Sequence, residues 1–213
     1  MHSRPIVVVI AAPSGTGKTS LANALVAADP ELTFSISATT RPPRAGERDG
    51  REYHFVDDRE FDRMAGAGEL LEWAEVHGRR YGTPRQSVEE PLAQGKVVVL
   101  DVDVEGARQV RDAMKDAVLV FILPPSVEEL QHRLAGRGSE GAAERRTRMT
   151  TAWEELQAAV EFDYIVVNDR FDSALATLRA IVTAERTRRH RITDLSVHID
   201  RMRAQLATLL EKE

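Results

Sequence analysis

Apolar residues recur along this chain in two periods, and the way those periods alternate predicts its architecture. Val7-Val8-Val9-Ile10 is a continuous β-branched run, and Leu21 and Leu25 follow at helical spacing, so strand, loop and helix succeed one another. Phe34-Ser35-Ile36-Ser37 reads as a short second strand, and the prolines of Arg41-Pro42-Pro43-Arg44 exclude helix beyond it. Tyr53-His54-Phe55-Val56 alternates in the extended manner. Asp57 or Asp58 then caps a short helix carrying Phe61 and Met64, and Leu70 to Val76 predicts another strand. From Ser35 to about Thr83 the pattern lacks the rhythm of a β-α-β unit, which predicts an inserted, strand-rich binding lobe.

The α/β rhythm returns at Ser87-Val88-Glu89-Glu90, a capping-box sequence opening a helix to about Gln94, where Gly95 ends it. Val97-Val98-Val99-Leu100 is an unbroken apolar run of the kind buried on both faces of a sheet. A helix from about Glu105 to Met114, a strand from Ala117 to Leu123 and a second capping box, Ser126 to Glu129, come next. The helix so opened breaks at Gly136-Arg137-Gly138. An Arg-rich helix from about Ala142 to Val160, a strand from Tyr164 to Asn168 and a helix from about Asp172 complete the series. Strands alternating with helices predict an α/β fold: a parallel, doubly wound sheet with helices on both faces and ligands at the carboxyl ends of its strands. In the tail, Ile192, Leu195, Ile199, Met202, Leu206 and Leu209 form the seam of an amphipathic helix. That helix either folds back on its own domain or pairs with a second copy. The distance of Leu206 and Leu209 from the domain favours a homo-oligomer.

Composition narrows the chemistry. The 213 residues suit one α/β domain with a small insertion. There is no cysteine, and the six histidines show no ligand spacing, so a catalytic metal is expected to be oxygen-bound. No apolar stretch approaches a membrane span, and the N-terminus lacks an apolar leader, which predicts a cytoplasmic protein. The net charge of −5 argues against membrane surfaces and nucleic acid as partners. Arginines nevertheless cluster at Arg41, Arg44, Arg48, Arg51 and at Arg133, Arg137, Arg145, Arg146, Arg148, which points to small anionic ligands.

The loop Ala12-Pro13-Ser14-Gly15-Thr16-Gly17-Lys18-Thr19 lies between the first strand and the first helix. Backbone N–H groups of such a loop cradle a phosphate at the positive end of the helix, Lys18 neutralises the outer phosphates, and the Thr19 hydroxyl can hold Mg²⁺. The usual pattern has Gly where Ala12 stands, so the same residues also fit an ordinary Gly-rich turn. Asp101, at the tip of an apolar strand, either holds Mg²⁺ through a water or is a solvated strand end; Asp103 lies on the same face or serves as the N-cap of the next helix. In a polyproline II segment Arg41 and Arg44 project from one side, so both can reach one phosphate, or both can simply be solvated. Tyr53 and Tyr81 can add hydroxyl donors to that anion. Glu72 interrupts an apolar segment: it is either the exposed side of a half-buried strand or a reader of guanine, whose two adjacent N–H donors a carboxylate accepts together. Ser37 and Thr83 can satisfy other polar atoms of the base.

The loop of residues 12–18, together with Thr39-Thr40-Arg41-Pro42-Pro43-Arg44-Ala45-Gly46-Glu47, Gly50-Arg51-Glu52-Tyr53-His54-Phe55, Tyr81-Gly82-Thr83, Leu100-Asp101-Val102-Asp103-Val104-Glu105-Gly106, Ile122-Leu123-Pro124-Pro125-Ser126 and Ile165-Val166-Val167-Asn168-Asp169, resembles guanylate kinase, block by block and in order. The resemblance runs from about Ile6 to Arg188, and Ala at position 12 is common in bacterial members. It departs at Arg80, where a second Tyr is usual. It implies a P-loop nucleoside monophosphate kinase-like fold with a core formed by residues 1–34 and 84–190, a lid at about 136–148, a GMP-binding subdomain at 35–83 and the C-terminal helix at 191–213. It further implies transfer of a phosphoryl group from MgATP to GMP. Ser37, Arg41, Arg44, Tyr53, Glu72, Tyr81, Thr83 and Asp103 would bind GMP, Arg137 and Arg148 would be lid arginines, and Asn168 would touch the donor's adenine. Two other readings keep parts of the pattern: a phosphopeptide-binding module of the same fold, against which Lys18 speaks, and a kinase of another phosphate-bearing acceptor, against which Glu72 and the Arg41/Arg44 pair speak.

Overall fold

The computed structural model describes residues 3–76, 78–135 and 142–211. The β-branched runs form a parallel sheet. Its strands β1 (Val7–Ala11), β2 (Leu32–Phe34), β7 (Val97–Asp101), β8 (Val118–Leu123) and β9 (Tyr164–Val167) lie in the order β2-β7-β1-β8-β9. β1 is central and pairs in parallel with β7 and β8, Val9 lying opposite Leu100 and Leu119. Alternation along β1 divides the core. Val8, Ile10 and Ala12 pack with Leu21, Leu25 and Leu178 on one face, and Val7, Val9 and Ala11 with Val104, Ala107 and Val110 on the other. These partners come from α1 (Lys18–Ala27) and α7 (Phe171–Arg186) on the first face and α4 (Val104–Ala113) on the second.

A second sheet, of order β4-β3-β6-β5, is built from β3 (Ala38–Thr39), β4 (His54–Phe55), β5 (Leu70–Val76) and β6 (Arg79–Pro84). The helix α2 (Asp58–Gly66), N-capped by Asp57, buries Phe61 against it. Arg80, which departs from the family pattern, fastens α2 to β6: its guanidinium lies 4.9 Å from the Phe61 ring centroid and pairs with Asp58 and Asp62. The sheet meets the core along β5. Gln109 of α4 accepts a hydrogen bond from the Trp73 amide at 3.0 Å and donates to the Trp73 carbonyl at 2.9 Å, satisfying the edge of that strand.

Two local expectations are corrected. The second strand is Leu32–Phe34 rather than residues 34–37, because Leu32 to Phe34 pair with Val97 to Val99 and the chain then leaves the core for the smaller sheet. Ser87 is not a helix cap: α3 (Gln86–Ala93) already begins at Gln86, and the Ser87 hydroxyl donates back to the Pro84 carbonyl at 2.7 Å. The second box behaves as expected in its first half, for Ser126 Oγ accepts from the Glu129 amide at the start of α5 (Val127–Ala135). The Arg-rich helix is α6 (Ala142–Gln157), and a 3-10 turn prolongs it to Glu161. The tail forms α8 (Leu195–Leu210), from which no residue is buried. It does not fold back on the domain.

Candidate active site

The phosphate-binding loop joins β1 to α1 at the carboxyl edge of the core sheet, where strand order leaves β1 between β7 and β8. Gly15 and Gly17 adopt φ values of +88° and +86°, a region that disfavours any side chain. An added Cβ would also press on Leu134 of α5 at 3.1 Å from position 15 and would displace the Asn168 amide, 2.8 Å from position 17. No side chain caps the first turn of α1, so its amides are available to an anion. The loop is braced from within: the Pro13 carbonyl accepts from the Thr16 amide and hydroxyl. The Thr16 carbonyl in turn accepts from Asn168 Nδ2 at 2.7 Å and from Arg133 Nη1 at 3.3 Å. Asn168 is 5% exposed, and its amide braces the loop. Arg133, grouped in sequence with the lid arginines, braces the same loop.

Lys18 and Thr19 meet Asp101 at the tip of β7. Lys18 Nζ lies 2.8 Å from Asp101 Oδ1 and donates to the Val102 carbonyl, while the Thr19 hydroxyl donates to Asp101 Oδ2 at 2.7 Å. The cluster of hard oxygen donors, a hydroxyl and a carboxylate, suits Mg²⁺. Among the described residues no group of three or more His, Asp or Glu side chains could hold a metal, so ligand oxygens would complete any coordination there. Asp103 is the N-cap of α4, its Oδ1 accepting from the Gly106 amide at 2.7 Å.

Two cavities open from this point. The smaller, about 230 Å³, is lined by loop residues Ala12 and Ser14 to Ser20 with Asp103 and Glu155. The larger, about 770 Å³, lies between the two sheets and is lined by Ser37, Arg41, Arg44, Tyr53, Glu72 and Tyr81, among others. Lys18, Thr19 and Asp103 line both. Pro13 is buried beneath the loop.

Within the larger cavity the Arg-Pro-Pro-Arg segment is ordered by Glu47, a residue whose role spacing alone did not reveal. Its carboxylate accepts from Arg41 Nη2 at 2.9 Å and from the Arg44 amide at 2.7 Å, and the Arg41 guanidinium holds its carboxyl below the usual range. Arg41 also lies 5.4 Å from the Tyr53 ring centroid, and Tyr53 and Tyr81 meet edge to face at 6.0 Å.

Glu72 is 6% exposed, so it does not occupy the solvent side of a half-buried strand. Desolvation pushes its carboxyl up to about 7, against the hydrogen bond that the buried Thr83 hydroxyl donates to Oε1 at 2.6 Å. Its other oxygen would sit 2.7 Å from a Cβ at Gly106. Gly106 is therefore what lets the carboxylate lie against the start of α4. Thr83 stands behind Glu72 and orients it. Arg148 is half-buried on α6, and Arg137 lies outside the described residues.

The comparisons with known proteins agree with this geometry. A family model described as "Guanylate kinase" matches residues 2–185. A protein of that name from Rhodopseudomonas palustris is 48% identical over 207 residues, covering 97% of this chain and 94% of its own. Another, from Alkalilimnicola ehrlichii, is 51% identical over 183 residues, covering 86% and 90%. The solved structure of guanylate kinase from Anaplasma phagocytophilum superposes with a TM-score of 0.77 at 32% identity, covering 93% of this chain and 95% of that one. A phosphate-binding loop with its lysine in place, a buried carboxylate in the facing cavity and relatives matched over nearly their whole length lead to one conclusion: the chain belongs to the guanylate kinase family.

Proposed function

We propose that this chain transfers the γ-phosphoryl group of MgATP to GMP, giving ADP and GDP. The observation that carries the reading is that the phosphate-loop cavity and the larger cavity share Lys18, Thr19 and Asp103. A donor's phosphates in one and an acceptor's phosphate in the other meet at the lysine. The acceptor is already an anion at neutral pH, so the reaction asks for neither a strong base nor a covalent nucleophile. Catalysis then rests on positioning and charge neutralisation.

Each residue has a part in that scheme. The loop amides of residues 12–19 receive the donor phosphates, Lys18 draws charge from the outer oxygens, and Asn168 and Arg133 keep the loop in shape. Arg41 and Arg44 grip the acceptor phosphate with Tyr53 and Tyr81 and lower the repulsion between two anions. Arg137 and Arg148 act from the lid on the phosphoryl group in flight. Glu72, oriented by Thr83, accepts from the two adjacent N–H groups of guanine, and Ser37 lines the same cavity; adenine offers an acceptor at that edge, which a carboxylate repels. Asp103 holds the start of α4 beside Glu72. Thr19 and Asp101 would hold Mg²⁺, the latter through water, and when bound the ion neutralises charge on the transferring group. Residues 1–34 and 84–190 act as the donor-binding core and residues 35–83 as the acceptor-binding subdomain.

Nucleotide substrates fit a cytoplasmic location, and no described helix is long and apolar enough to cross a membrane. A second copy of the chain is the partner we assign to α8, whose apolar seam is exposed and recurs at the spacing a like helix would match. A coupled assay with MgATP and GMP, AMP, CMP or UMP tests the function: ADP production with GMP alone supports it, and preference for another monophosphate overturns it.

A further inference from the structure

One charged group in the phosphate-loop cavity has no place in the scheme above. Glu155, on the last turn of α6, lines that cavity with Ser14, Lys18, Thr19 and Asp103. Its Oε2 is buried with no hydrogen-bond partner, an expensive state for a carboxylate oxygen. The cavity is otherwise built for anions, with loop amides, the open end of α1 and a lysine. Burial raises the carboxyl's affinity for a proton, the Lys18 ammonium and the Ser14 amide favour the charged form, and Asp103 opposes it. The side chain thus meets the features a phosphate would meet: a loop amide and the loop lysine.

Its helix carries the argument further. Residues 148, 152 and 155 fall on one face of α6, at i, i+4 and i+7. Ala152 is 2% exposed and packs with Leu130 and Leu134 of α5, and Leu134 lies against Gly15 of the loop. The face of α6 that places Glu155 in the phosphate site therefore also carries Arg148, about 10 Å away along the helix axis. A donor triphosphate attracts the arginine and repels the glutamate.

We propose that the Glu155 carboxylate stands in for a nucleotide phosphate in the ligand-free enzyme, and that the donor must displace it to seat its outer phosphates. Glu155 is then a positioning residue: it couples arrival of the triphosphate to a shift of α6, exchanging a glutamate at the loop for the lid's Arg148. Ligand-free chains with Glu155 at the loop are unable to bind, so the observed donor affinity is lowered by the fraction of chains in that state. The inference rests on the phosphate-site reading above and adds to it an internal competitor.

The probe is inorganic tripolyphosphate, titrated calorimetrically into the full chain and into Glu155→Gln, which keeps the shape and removes the charge. The expected result is a Kd about tenfold lower in the variant, with the Kd for GMP unchanged. Tripolyphosphate binding that is equal or weaker in the variant overturns the competitor role and leaves the phosphate site standing; weaker binding would assign Glu155 to holding the ligand or its cation. Failure of tripolyphosphate to bind either protein overturns both readings. Should the variant not fold, the unaltered chain labelled at its glutamate carboxyl carbons decides the matter. Addition of tripolyphosphate moves the Glu155 resonance to the position of a solvated side chain if it is displaced, and a resonance that stays where it was contradicts the proposal.

Discussion

Glu72 illustrates how a single side chain acquires a role from its surroundings. A carboxylate in an apolar stretch has two readings in sequence; burial, the Thr83 hydroxyl and the space left by Gly106 exclude the solvent-exposed one. Its pH behaviour follows from desolvation. With the folded carboxyl at about 7 against an ordinary 4.5, the folded chain binds the extra proton between those values. Stability from this group is therefore present below about pH 4.5 and is lost as pH rises through 7. Binding of guanine asks for the opposite, ionised form. The Kd for GMP is expected to rise about tenfold from well above pH 7 to pH 6 on this account, with a proton released on binding near pH 6.5. The GMP phosphate itself titrates near pH 6, so Glu72→Gln supplies the control: its GMP affinity is already weak and keeps only the phosphate's share of the pH dependence. Calorimetry in buffers of different ionisation enthalpy measures the proton, and equal pH dependence in both proteins would remove Glu72 from the base pocket. Glu47, Arg133 and Glu155 were hidden from sequence for two reasons. Arg133 and Glu155 face groups far away in the chain, which spacing does not encode, whereas Glu47 lies three and six residues from Arg44 and Arg41 and its role depends on how the Arg-Pro-Pro-Arg segment turns back on it.

At the scale of elements, strands and helices with strong apolar periods were legible, and β5, β7 and α4 lie where their patterns put them to within a residue. Errors arose where one short stretch serves two sheets, as at residues 32–39, and where a capping-box sequence starts two residues past the true N-cap, as at Ser87. In both, tertiary pairing overrode a local signal. The Arg-rich helix α6 gives the prediction that belongs at this scale. If Arg148 acts mainly once α6 has closed over the reacting phosphates, Arg148→Ala lowers kcat by one to two orders of magnitude, on the order of a lost transition-state charge partner, and leaves the Kd for GMP within about threefold. Steady-state kinetics with a direct GMP titration separate the outcomes; lost GMP binding at full kcat would move Arg148 to the acceptor site.

The whole molecule joins a parallel core, a smaller mixed sheet and an outlying helix. From Arg201 to Leu210 every residue of α8 is exposed, Leu206 and Leu209 by 56% and 61%. Its base is anchored: the buried Arg191 pairs with Glu185 and bonds the Asp116 carbonyl, and its own carbonyl accepts from Arg4. Truncation after Asp194 spares these contacts and removes α8 with the seam from Leu195 onward. Sedimentation equilibrium is expected to find an oligomer for the full chain and a monomer for the truncated one; a monomeric full chain, or an oligomer indifferent to the cut, would contradict pairing through α8. The central claim, that donor and acceptor meet at Lys18 where the two cavities join, is tested most directly by Lys18→Ala. Its turnover of GMP with MgATP, measured beside its GMP affinity and its circular dichroism, is predicted to fall by about two orders of magnitude or more while fold and GMP binding persist. A folded variant that turns GMP over at a near-normal rate would contradict the account.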